Sequence, residues 1–115
     1  MSEEKRIVKS YEEEMQSLND DLVKMGSLTE SQLSDTIQAI VKIDKEAAEN
    51  IIKNDAQINE LRAKIDDQIS TVLVKRAPMA IDLRTTISSL KISHDLERIG
   101  DLAKSVAKKI EPLPI

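Results

Sequence analysis

The 115-residue chain contains no cysteine, no tryptophan and no phenylalanine. Without cysteine there is no disulfide framework, no thiolate metal site and no cysteine nucleophile, and a reducing compartment is compatible with the chain. A single aromatic residue, Tyr11, removes the stacking platforms that grip single-stranded nucleic acid and the usual lining of a small-molecule pocket. Positive charge is not in excess either. Seventeen Lys and Arg against 21 Asp and Glu give a net charge of −4, which argues against nucleic acid as a partner. Long apolar runs are missing as well: none approaches the roughly 18 residues of a membrane span. Residues Met1 to Lys9 mix both charges without the apolar stretch of a secretion signal. A soluble, intracellular protein is expected.

Glycine and proline are scarce, two and three residues, while the adequate or good helix formers Ile, Lys, Leu, Glu and Ala together make up about half of the chain. This composition reads as all-α. Ser10-Tyr11-Glu12-Glu13 matches a capping box, so a first helix is expected from Ser10 to about Ile43, with residues 1–9 as an N-terminal extension. Met15, Leu18, Leu22, Met25, Leu33, Ile37, Ile40 and Val41 would form its apolar stripe. Asp44 is a plausible N-cap for a second helix over about 45–74, with Glu46 meeting the positive end of its dipole. So short a connection forces antiparallel neighbours. Pro78 suits the first position of a third helix running to about Ile110, and Pro112 and Pro114 end it, leaving 111–115 as a tail or the start of a linker. The fold class is therefore all-α: an antiparallel up-down-up three-helix bundle over residues 10–110, with long helices of spectrin-like proportions.

Two places break the apolar pattern with charge. In the second helix the seam Ile51, Asp55, Ile58, Arg62, Ile65, Ile69, Val72 has two charged members. Either Ile52 and Leu61 shift the true centre and leave both charges at solvent, or Asp55 points into a polar site shared with the third helix. The third helix has a core stripe of Ile81, Ile92, Leu96, Ile99, Ala103, Val106 and Ile110, with Thr85 and Ser88 in register. Its other face begins with Leu83, Ile87 and Leu90, then continues at the same spacing as His94, Glu97 and Asp101.

An imidazole and two carboxylates on one strip about two turns long are donors for Mg²⁺, Mn²⁺, Fe or Zn²⁺, although one helix rarely completes a coordination sphere. The plainer alternative is a solvated face on which Glu97 pairs with Arg98 or Lys104 to little effect. Gly100 interrupts the helix at a cost of about 1 kcal/mol relative to alanine. Such a glycine marks either a close approach or a tolerated imperfection, and Gly26 in the first helix poses the same alternative.

These residues resemble the PhoU family of phosphate-transport regulators. Leu90-Lys91-Ile92-Ser93-His94-Asp95-Leu96-Glu97-Arg98-Ile99-Gly100-Asp101 is similar to the family's helix-three signature, and Arg76-Ala77-Pro78-Met79-Ala80-Ile81-Asp82-Leu83-Arg84 to its Arg-x-Pro-x-x-x-Asp-Leu-Arg entry. Tyr11, Leu18 and Met25-Gly26 resemble the opening of its first helix. The resemblance covers about Ser10 to Lys109. It implies one three-helix unit where family members usually carry two, each with a Glu/Asp-x-x-x-Asp motif that binds clustered metal ions. That motif falls on Glu97 and Asp101, while His94 is not a fixed part of it and Asp55 is a further candidate.

The implied cofactors are divalent or trivalent metal ions. The implied role is cytoplasmic: restraint of the phosphate ABC transporter ATPase and the phosphate sensor kinase when phosphate is plentiful. The membrane is approached through those partners only. A homodimer would restore the paired units, and Leu83, Ile87 and Leu90 are apolar positions available to its interface. A purely structural helical oligomer and a carboxylate-metal enzyme are the rival classes. Against the enzyme, di-iron bundles need Glu-x-x-His pairs on two helices and this chain has one histidine and no Glu-x-x-His; no nucleophilic triad is evident.

Overall fold

A computed structural model describes residues 2–76 and 80–114, the side chains of 76 and 80–82 excepted. Three helices, α1 (Glu3–Lys42), α2 (Lys45–Arg76) and α3 (Ala80–Ile110), pack side by side, each against both others. They form an elongated up-down-up bundle of 67 × 23 × 16 Å. No strand occurs among the described residues. Pro78, expected at the first position of the third helix, and the Ile81 and Asp82 side chains lie outside the described residues.

The first helix begins seven residues earlier than its capping box suggests. Ser2 is the N-cap, its hydroxyl accepting from the Lys5 amide, and Glu3 and Glu4 occupy the positive end of the dipole. The residues between, Glu3 to Lys9, contain no glycine or proline, so helix propagates through Ser10 to the earlier cap. Residues 3–9 are thus part of α1 rather than an extension.

The α1–α2 link is two residues long. The Ile43 and Asp44 amides donate to the carbonyls of Ile40 and Ala39, the Schellman pattern that satisfies a helix C-terminus. It places Ile43 at φ 49°, a left-handed conformation that a β-branched residue adopts at a cost of about 1–2 kcal/mol. Asp44 then caps α2 as expected, its Oδ1 accepting from the Ala47 amide at 3.0 Å.

Two apolar clusters fill the interior. The larger joins Leu18 and Met25 of α1 to Ile58, Leu61, Ile65 and Ile69 of α2, with Leu96 of α3 against it. The smaller, near the α1–α2 link, joins Ala39, Ala48, Ile51, Ala107 and Ile110. Between them the buried positions turn small and polar: Thr29, Gln32 and Thr36 on α1, Asp55 on α2 and Gly100 on α3.

This interior differs from the expected stripes. On α1 the buried series after Met25 is Thr29, Gln32, Thr36, Ala39, while Leu33, Ile37, Ile40 and Val41 are exposed. On α3 the buried series is Thr86, Ser89, Ser93, Gly100, Ala103, Ala107, Ile110, and Ile92 and Ile99, expected in the core, are exposed. Both series follow three-and-four spacing, but each lies one residue away from the more apolar one. Small residues let α1 and α3 lie close, and their hydroxyls are satisfied within their own helices: Thr29 donates to the Met25 carbonyl, Thr36 to Gln32, Ser89 to Thr85 and Ser93 to Leu90.

Candidate functional site on the third helix

Asp55 lies on the buried seam of α2, four residues after Ile51 and three before Ile58, and its side chain is 1% exposed. A carboxylate there requires partners. Gln32 supplies the nearest: its Nε2 donates to Asp55 Oδ1 at 2.9 Å and to the Gly100 carbonyl at 3.0 Å, tying all three helices together. Asn59 Nδ2 donates to Asp55 Oδ2 at 3.3 Å, and Lys104 Nζ lies 3.7 Å from the same oxygen. Of the two readings the sequence left open for Asp55, exposure at solvent is therefore wrong. Arg62 obeys the other rule: Leu61 takes its place in the core and Arg62 moves to the α2–α3 edge.

Gly100 faces this layer. A Cβ there would lie 3.3 Å from Ile58 Cδ1 and 3.4 Å from Asp55 Oδ1, so the glycine marks a close approach of α2 to α3. Around Gly26 a Cβ would meet nothing within 4 Å, so the second alternative holds there.

Outside the polar layer runs the strip of His94, Glu97 and Asp101. Glu97 is half-buried and accepts from Arg62 Nη1; Arg62 Nε lies 3.6 Å from Asp66 Oδ2. Glu97 thus pairs across helices, rather than with the Arg98 or Lys104 expected from spacing. Arg98 sits 3.8 Å from Asp95, and Lys104 turns inward to Asp55. His94 and Asp101 are exposed. Water lost beside the bundle and then the negative charges of Asp55 and Glu97 raise the Asp101 carboxyl above its ordinary value, with Lys104 and Arg62 pulling it down.

Among the described residues no group of three or more His, Cys, Asp or Glu side chains is gathered closely enough to hold a metal. Glu97 and Asp101 offer two carboxylates from one helix, a partial donor set for a hard cation, and Arg62 already occupies one of them. Asp55 has both oxygens engaged by protein donors. No described helix is long and apolar enough to cross a membrane.

Sequence reasoning missed Gln32 and Asn59 as partners of Asp55 and Arg62 as the partner of Glu97, and it offered Lys104 to Glu97 rather than to Asp55. The one available signal was Thr29-Gln32-Thr36-Ala39, a small and polar series in phase with Leu18 and Met25.

The PhoU domain family matches residues 22–110. The chain is 39% identical to a phosphate-specific transport system accessory protein PhoU homolog of Caulobacter vibrioides, over 89% of this chain and 44% of that protein. It is 35% identical to the homolog of Rhizobium meliloti, over 90% and 44% of the two chains, and 37% identical to that of Clostridium acetobutylicum, over 91% and 48%. The crystal structure of PhoU from Pseudomonas aeruginosa superposes with a TM-score of 0.85 at 37% identity, covering 88% of this chain and 48% of that one. The chain spans somewhat less than half the length of each of these relatives. With the family matched over most of the bundle, and the solved structure sharing its three-helix architecture, the chain belongs to the PhoU family.

Proposed function

We propose that the chain is a regulatory module of phosphate uptake and phosphate signalling, acting in the cytoplasm by protein contact with the phosphate transporter ATPase and the phosphate sensor kinase, and without catalysis. The observation that carries this reading is the stretch Leu96-Glu97-Arg98-Ile99-Gly100-Asp101 in its three-dimensional setting. Leu96 and Gly100 face the bundle interior, while Glu97 and Asp101 stand at its outer edge as an acidic strip. A long helical bundle without a deep aromatic-lined pocket suits recognition by surface. Relatives named as accessory proteins of a phosphate-specific transport system support the same assignment.

Within this reading Glu97 and Asp101 are two ligands for a divalent or trivalent cation such as Mg²⁺, Mn²⁺, Fe or Zn²⁺. His94 is a third candidate, and water, phosphate or a neighbouring molecule supplies the remaining positions. Such an ion would concentrate positive charge on an otherwise acidic edge. Two copies of the chain pair as a homodimer, which brings two strips into one assembly.

Elemental mass spectrometry on chain purified without chelators tests the metal assignment: the wild type should carry metal that Glu97→Gln/Asp101→Asn lacks. Affinity capture from phosphate-replete cells tests the partners. Recovery of the transporter ATPase or the sensor kinase above an unrelated helical bundle supports the regulatory reading, and recovery of neither removes its main support.

A further inference from the structure

One set of exposed aliphatic residues, from the C-terminal halves of α1 and α3, makes a single surface. Leu28, Gln32 and Asp35 of α1 line a groove with Ile51, Asn54 and Ile58 of α2, so Leu33, Ile37 and Ile40, one or two positions further round, lie on the flank of α1 turned away from α2. On α3, Glu97 and Lys104 reach Arg62 and Asp55 of α2. Ile92, Ile99 and Val106 repeat every seven residues on the opposite flank, towards α1. The hydrogen bond from Gln32 to the Gly100 carbonyl sets residue 32 level with residue 100, and the two helices run parallel. Leu33, Ile37 and Ile40 therefore stand beside Ile99 and Val106.

These are not core residues that merely graze solvent: Ile37 is 54% exposed and Ile92 49%. None of positions 33, 34, 37, 40 and 41 on α1, nor 92, 96, 99, 103, 106 and 110 on α3, is charged. The joint behind them is filled by Thr29, Thr36, Ser93 and Ala103, so the larger aliphatics of both helices have been left outside and the small ones placed within. A face of this composition is half of a second core.

From this arrangement we infer that the α1–α3 face is the surface on which a second copy of the chain docks, face against face across a twofold axis. The inference rests on the homodimer reading above and names its surface. Size supports the occupant. The face runs from Ile92 to Ile110, about 27 Å, and is two helices wide, about 20 Å, a footprint of about 500 Å² on each copy. Doubled, that reaches the roughly 1,000 Å² at which specific association begins. Charge is compatible with it: over this extent the flank of α1 carries one charged position, Glu30, seven residues before Ile37, and otherwise offers little complement to a strongly charged partner. The acidic strip faces the other flank of α3, so docking here leaves Glu97 and Asp101 open to cation and partner.

Light scattering coupled to size exclusion, on the chain at about 10 and 200 μM, tests the inference. The wild type should show twice the 12.9 kDa chain mass. Ile37→Lys/Ile99→Lys should return it to single mass with unchanged far-UV circular dichroism, the changed positions being exposed. Leu83→Lys/Ile87→Lys should leave the dimer intact. A dimer indifferent to the first pair and split by the second overturns the α1–α3 face but keeps the homodimer. A single-copy mass throughout overturns both. Should the double variant lose helix, Ile37→Lys alone decides: a folded single variant with undiminished dimer overturns the assignment.

Discussion

Removal of the Asp55 carboxylate is the sharpest test of the polar layer. In Asp55→Ala, Gln32 keeps its bond to the Gly100 carbonyl but its second N–H, formerly 2.9 Å from Asp55 Oδ1, is left unpaired in a buried site. That costs about 1–3 kcal/mol. The lost volume beside Ile58 and Gly100 adds about 1 kcal/mol. Lys104 contributes little to the loss because its side chain is about a third exposed and turns to water. Asn59 is exposed and does the same. The total is about 3 kcal/mol.

Asp55→Asn keeps the shape and the acceptor for Gln32 while losing the charge opposite Lys104, for a cost of about 1 kcal/mol. Urea unfolding at pH 7 and one fixed protein concentration reads both values from the shift in midpoint at constant slope. A double-mutant cycle completes the test. If Gln32 and Asp55 act as one unit, Gln32→Leu/Asp55→Leu should cost less than the two single changes together, because no polar group remains stranded between the apolar clusters. Additive single effects, or a loss below about 0.5 kcal/mol in Asp55→Ala, would refute the reasoning.

Other perturbations follow from the same contacts. Gly26→Ala should raise stability by about 0.5–1 kcal/mol, read as a later urea midpoint, because its Cβ enters open space and the helix gains in propensity. Gly100→Val should lower it, since even the first carbon stands 3.3 Å from buried Ile58. Asp101 has a raised carboxyl pKa in the fold, so its charged form subtracts stability at neutral pH, and that deficit disappears as pH falls through the raised value towards the unfolded value of about 3.9. Asp101→Asn should therefore move the urea midpoint up at pH 7 and less so near pH 4. Arg62→Gln frees Glu97 from its internal cation at a cost of about 1 kcal/mol. It should tighten Mn²⁺ binding in calorimetry, and unchanged affinity would show that Arg62 does not compete for the strip.

Helix number, order and the α1–α2 link were legible because each has a local cause: few breakers, an Asp44 cap, a two-residue turn. The α1 start was not, because two serines compete as caps and only the propensity of the residues between them decides. The acidic strip was legible as a strip, since three-and-four spacing suffices for that. Its partners were not, because Arg62 reaches Glu97 and Lys104 reaches Asp55 from another helix, and no spacing along one chain records a neighbour.

The misplaced stripes of α1 and α3 have a more instructive cause. Periodicity reports that a helix has an apolar face, not what covers it. Leu33-Ile37-Ile40 and Ile92-Ile99-Val106 are the more apolar series and would bury more area than Thr29-Gln32-Thr36 and Ser89-Ser93-Gly100. The bundle nevertheless buries the weaker series. Close packing of α1 on α3 explains the small residues there. It does not explain why isoleucine is retained at solvent on the neighbouring flank, where each exposed side chain forgoes about 1–2 kcal/mol of burial. A helix with two adjacent faces, one small and satisfied within the unit and one large and apolar outside it, is arranged to be covered twice. Polar substitution along Leu33, Ile37, Ile92 and Ile99 should therefore leave the unfolding free energy of the isolated bundle nearly unchanged while removing the concentration dependence of its melting temperature. A loss of single-copy stability comparable to a core truncation would mean that the large series, not the small one, holds α1 against α3.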